Sequence, residues 1–143
     1  MLPDTFRCSA IVENLDQAIA FVEGHADGFD LDTKKKFGLL VAVEEAFVNI
    51  CHYAYSSSQG EVSLACKMTG GEFVVEIADT GSPFDILSLP APDTTADIMD
   101  RQIGGLGVFF IRKLTDEASY RREDDKNILR MLIRQSQDNL HDI

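Results

Sequence analysis

The chain is short of positive charge, of cysteine and of long apolar runs, and each shortage closes off a class of function. Lys and Arg number 13 against 24 Asp and Glu, for a net charge of −11 over 143 residues. Such a body repels nucleic-acid phosphates and anionic lipid, so neither DNA nor a membrane surface is an expected direct partner. The small basic clusters Lys34-Lys35-Lys36 and Arg121-Arg122 read as solvated faces. An acidic surface suits a protein partner with basic patches instead.

Cys8, Cys51 and Cys66 are odd in number and scattered, without C-x-x-C or zinc-like spacing, which excludes a disulfide framework. No apolar segment approaches the roughly 20 residues that span a bilayer, and the N-terminus lacks a basic region followed by an apolar run. We expect a cytoplasmic protein with reduced thiols. What the chain does have is 45% hydrophobic and 26% charged residues, the balance of an ordinary globular domain large enough to bury a core. We expect one domain over residues 1–134 and a flexible tail over 135–143.

Periodicity predicts an opening strand from Thr5 to Val12 and a helix from Glu13 to His25 with Leu15, Ala18, Ile19 and Val22 inward. Asp32 or Thr33 can cap a second helix whose apolar positions Phe37, Leu40, Val41, Phe47, Val48 and Cys51 run toward Tyr55. After a loop at Ser56 to Gly60, Glu61 to Met68 and Glu72 to Ala78 read as a hairpin turning at Thr69-Gly70-Gly71. The stretch from Leu87 to Ile103, with Pro90 and Pro92, reads as a mobile lid. A short helix from Gly105 to Leu114 and a last hairpin, Ala118 to Arg122 and Ile128 to Arg134 around Asp124-Asp125-Lys126, complete the chain.

Three motifs carry the chemistry. On the second helix Ala42, Glu45, Asn49 and His52 follow one another at +3, +4 and +3, so they line one face. An Asn carbonyl is an oxygen ligand magnesium accepts, and a carboxylate one turn back can orient or deprotonate a nucleophile; the pair is also what an exposed polar strip looks like. Glu44 falls by helical angle among Phe37, Val41, Val48 and Cys51, where a buried carboxylate requires a Lys or Arg partner. That placement gives Glu44 a structural role and Glu45 the chemical one.

In Asp79-Thr80-Gly81-Ser82-Pro83-Phe84, Asp79 projects from a strand end beside a glycine turn. An Asp acceptor there would take a hydrogen bond from the adenine amino group and reject guanine, although an Asx turn has the same residues. Gly104-Gly105-Leu106-Gly107 opens an apolar helix, so its amides can receive phosphate or simply cap that helix. Arg101, just before it, can reach a phosphate or remain in solvent. Cys51 and His52 point about 100° apart on a helix and do not form a catalytic pair.

In order and spacing these segments resemble the superfamily of gyrase, heat-shock chaperone, histidine kinase and mismatch-repair ATPases. Glu44-Glu45-Ala46-Phe47-Val48-Asn49, Asp79-Thr80-Gly81-Ser82-Pro83-Phe84, Gly104-Gly105-Leu106-Gly107-Val108 and Lys113-Leu114-Thr115-Asp116-Glu117 look like its stand-alone branch, the bacterial anti-sigma factor serine kinases. The resemblance implies an α+β two-layer sandwich, the Bergerat fold, with a mixed sheet covered on one face by helices and ATP and Mg2+ between helices and lid. It implies Glu45 as general base, Asn49 as magnesium ligand, Asp79 as adenine acceptor and Gly81, Gly105 and Gly107 as turn residues. Phe84, Gly104, Leu106 and Arg101 would join the nucleotide site. It also implies a STAS-domain partner phosphorylated on serine, a sigma factor bound in alternation, and a homodimer in many members.

Two departures stand out. Many relatives carry Gly-Thr where this chain has Lys126-Asn127, and the lid here is acidic, with Asp93, Asp97 and Asp100. A non-catalytic module that sequesters a regulator, or a detached histidine-kinase catalytic domain, are the competing functions.

Overall fold

The computed structural model describes residues 4–54, 60–88 and 105–135, with the side chains of Gly105 and Leu106 left aside. Most of the expected lid, the loop after Tyr55, Arg101, Gly104 and the tail beyond Gln135 therefore lie outside the described residues.

Strand β1 (Thr5–Ser9) leads through one 3-10 turn into helix α1 (Leu15–Asp27) and then helix α2 (Thr33–Tyr53). Strands β2 (Glu61–Thr69) and β3 (Glu72–Asp79) follow, then helix α3 (Gly105–Leu114) and strands β4 (Glu117–Glu123) and β5 (Lys126–Arg134). Local chemistry sets the boundaries. The Asp32 carboxylate accepts from the Lys35 amide at 2.7 Å and caps α2, and Gly70 at φ +56° turns β2 into β3. The β4–β5 turn puts Asp124 and Asp125 at φ 53° and 62°, the left-handed region that short Asp side chains tolerate. The opening strand is shorter than its β-branched stretch predicts, because Val12 enters the 3-10 turn.

The strands run in the order β1-β2-β3-β5-β4, and every pairing is antiparallel. The expected mixed sheet is thus corrected to an antiparallel one within the same α+β sandwich. The crossover β3–α3–β4 does join two strands of the same direction, but β5 folds back from β4 and inserts between them. No parallel ladder forms among the described residues.

One face of the sheet carries the core. Val62 and Leu64 of β2, Phe73, Val75 and Ile77 of β3 and Leu129, Met131 and Ile133 of β5 pack with Val22 of α1, Leu39, Val43 and Phe47 of α2 and Ile111 of α3. At roughly 25 cal/mol per Å2 of apolar surface, burial of these side chains is the main favourable contribution to folding. The reverse face carries ion pairs, among them Arg121 with Glu76 at 3.1 Å and Arg134 with Glu72 and Glu117.

Helix α2 corrects the expectation for Glu44. Its buried face is Leu39, Val43, Ala46 and Phe47, whereas Phe37 is 69% exposed and Glu44 is exposed beside half-buried Val41 and Val48. The helix is apolar on nearly all sides, so period alone cannot choose the face that meets the sheet. Glu44 stays in water and needs no counter-charge. No helix among the described residues is long and apolar enough to cross a membrane.

Candidate nucleotide site

The candidate site forms where the end of β3, the C-terminal half of α2 and the start of α3 converge. Asp79 closes β3 and is only 5% exposed. Its Oδ1 accepts from the Gly81 amide at 2.9 Å and from the Asn127 side-chain amide at 2.9 Å. Burial pushes the Asp79 carboxyl above its ordinary value, while the Asn127 and Gly81 donors and the Arg122 charge pull the other way without cancelling it.

Gly81 is set by contact. A Cβ there would stand 2.1 Å from the Ala54 carbonyl oxygen at the end of α2, and that oxygen accepts from the Ser82 amide at 3.2 Å. Only a residue without a side chain lets the turn after Asp79 lie against the helix end. Phe84 follows, half-buried, with its ring 6.2 Å from that of Tyr53.

Asn49 is 6% exposed and donates through Nδ2 to the Glu45 carbonyl at 2.7 Å. Its Oδ1 is buried with no hydrogen-bond partner among the described residues, a costly arrangement for a polar atom. Glu45, one turn earlier and half-buried, has its carboxyl raised above the usual range, first by desolvation and then by Glu44. Helix α3 approaches both: a Cβ on Gly107 would fall 2.8 Å from Asn49 Nδ2 and 3.4 Å from Glu45 Oε2. The glycine brings the positive end of α3 against that pair.

Between these elements lies a pocket with about 360 Å3 of empty space, open mouth included. Ala46, Ile50, Ala54, Ile77, Ile86 and Leu129 form apolar walls, and Asn49, Asp79, Phe84, Tyr120 and Asn127 add polar or aromatic groups. Asn49, Asp79, Gly81, Phe84 and Gly107 are thus brought together, and Glu45 sits at their edge. Gly105 begins α3. No group of three His, Cys, Asp or Glu residues able to hold a metal exists among the described residues. Burial pushes the Cys51 thiol up to about 11, which keeps it neutral and unreactive.

The residue that sequence reasoning left unassigned is Asn127, 5% exposed on β5 and paired in register with Asp79. The signal was its position: the departure from Gly-Thr falls opposite the adenine-acceptor candidate. Here an amide supports the carboxylate.

A family model described as the histidine kinase-like ATPase domain matches residues 8–133. The chain belongs to that family. Among members with curated names, the serine/threonine-protein kinase BtrW of Bordetella bronchiseptica is 27% identical over 127 residues, which cover 88% of this chain and 89% of that protein. The serine-protein kinase RsbW of Bacillus cereus is 25% identical over 93 residues, 62% of this chain and 58% of RsbW. The fold recurs within a solved structure of the RsbU and RsbW domains of Rv1364c from Mycobacterium tuberculosis, at a TM-score of 0.63 and 14% identity, over 92% of this chain and 32% of that one. Both curated relatives bear names of protein kinases that act on serine or on serine and threonine.

Proposed function

We propose that this chain is an ATP-dependent serine/threonine protein kinase that acts in the cytoplasm as an anti-sigma-type partner-switching regulator, phosphorylating a serine on a STAS-domain protein. The observation that carries the reading is the buried Oδ1 of Asn49, which has no partner among the described residues, one helical turn from a half-buried carboxylate and in the same pocket as buried Asp79. A hard cation satisfies such an oxygen. Magnesium takes few ligands from protein and the rest from water and phosphates, which agrees with one Asn and no acidic cage among the described residues.

In this reading Asp79 accepts from the adenine amino group, and Ile77, Ile86, Leu129 and Phe84 exclude water around the base. The amides that open α3 face the phosphates. When bound, MgATP supplies the transferable phosphoryl group. Glu45 takes the proton from the serine hydroxyl of the partner at its carboxylate, and desolvation brings its proton affinity closer to working pH, as a general base requires. The similarity over 88% of this chain to BtrW, named a serine/threonine-protein kinase, supports a side-chain hydroxyl as the acceptor.

Labelled ATP and a STAS-domain protein provide the test. Wild type should transfer label to the partner and Glu45→Ala should not; transfer at the wild-type rate by that variant rejects Glu45 as the base. Capture of the partner with no labelling by either form favours the sequestering module.

A further inference from the structure

Asn127 stands beside Asp79, and all of its polar capacity is used within the fold. Its Nδ2 donates to Asp79 Oδ1 at 2.9 Å and to the Ser82 carbonyl at 2.8 Å. Its Oδ1 accepts from the Tyr120 hydroxyl at 2.6 Å, the Phe84 amide at 3.1 Å and an Arg122 guanidinium nitrogen at 3.2 Å. Three donors around one oxygen fix which end of the amide is which. A reversed amide would set NH2 against three donors.

The partners lie in one row. Asp79, Asn127 and Arg122 stand side by side across β3, β5 and β4, and Arg122 also reaches the Gly81 carbonyl at 2.9 Å. Both hydrogens of the Asn127 amide are spent, so it has nothing left to offer a ligand directly.

We propose that Asn127, locked by Tyr120 and Arg122, is a positioning residue for base selection, occupying Asp79 Oδ1 so that Asp79 meets the 6-amino group of a purine through its other oxygen. This rests on the nucleotide reading of the pocket. The Asn127 side-chain amide and the Gly81 backbone amide both donate to that one oxygen, and two donors from separate segments hold the carboxylate in place. A carboxylate held in this way has one orientation, and the selectivity for an amino group over a bare or carbonyl-bearing ring position comes from that orientation.

The test compares ATP with purine riboside triphosphate, which lacks only the 6-amino group, by titration calorimetry on wild type, Asn127→Ala and Tyr120→Phe. A charged hydrogen bond corresponds to a preference of about tenfold or more, which wild type should show for ATP. Asn127→Ala should bring the ratio close to one while the affinity for purine riboside triphosphate changes by less than about threefold. Tyr120→Phe, which keeps the ring and removes only the lock, should lower the ratio by about threefold, and it decides alone if Asn127→Ala does not fold. Equal weakening of both nucleotides, or an unchanged ratio, overturns the proposal and leaves the nucleotide site standing. Wild type that binds neither nucleotide overturns both.

Discussion

Gly81→Ala is the sharpest perturbation available, because the obstacle is backbone. The new Cβ would lie 2.1 Å from the Ala54 oxygen, 2.7 Å from its carbon and 2.8 Å from its Cβ. Restoring even a 3.0 Å contact requires the turn or the end of α2 to move by 3.0 − 2.1 = 0.9 Å. Overpacking of this kind costs about 1–3 kcal/mol. The Ser82 amide, now 3.2 Å from the same oxygen, loses its partner for roughly 1 kcal/mol more. The sum, about 2–4 kcal/mol, should lower Tm by roughly 6–15 °C in a chain of this size. Thermal melting followed by circular dichroism measures it, with Gly24→Ala as the control: a Cβ at that exposed position of α1 meets nothing within 4 Å, and helix propensity predicts a gain of about 0.5–1 kcal/mol. A Gly81→Ala melt within 2 °C of wild type, to take about half a kcal/mol as the margin, would refute the contact argument. ATP affinity should fall with it, since the displaced turn carries Asp79 and Phe84.

The remaining predictions concern the carboxylates and the orphan oxygen. Because burial raises the Asp79 carboxyl, its protonated form favours the fold: that contribution is complete below the unfolded value of about 3.9 and is lost as pH rises through the higher folded value. Asp79→Asn lacks this loss, so urea titrations should show the variant gaining on wild type as pH rises from about 4 toward neutral, and a pH-independent difference counts against it. Glu45 is raised in the same direction, so the phosphotransfer rate should fall on acidification at a higher pH than the roughly 4.3 of an exposed Glu; a pH–rate profile reads this, and a midpoint at the exposed value contradicts it. Asn49→Ala should change stability by less than about 1.5 kcal/mol, since it removes one hydrogen bond and one unsatisfied oxygen together. The same variant should lose the magnesium dependence of ATP binding, and retention of that dependence would remove Asn49 from the metal.

Much of the framework was legible because it rests on short-range rules. The Asp32 cap, the Gly70 turn and the Asp124-Asp125 turn each follow from what one or two residues can do locally. Alternation located β2 and β3. The spacing of Glu45 and Asn49 placed them on one face, since 3.6 residues per turn does not depend on context. Legibility failed where two segments far apart in the chain had to be matched. Helix α2 carries apolar residues all round, so Glu44 reads as buried until the sheet selects Leu39, Val43 and Phe47 as the inner face. A crossover through α3 suggests a parallel pair until β5 is seen to occupy the gap.

Asn127 shows the same division at the site itself. Nothing within β5 marks an Asn at its second position as functional; its meaning comes from the register that sets it against Asp79, 48 residues earlier. By itself the sequence determined the elements, their order and the kinds of chemical group presented by each motif, because capping, periodicity and turn geometry act over a few residues. Tertiary structure alone decided which face of α2 is buried, that Gly81 and Gly107 are glycines for want of space, and that an amide holds Asp79. Those outcomes depend on contacts between distant segments, and such contacts exist only once the sheet has closed against its helices.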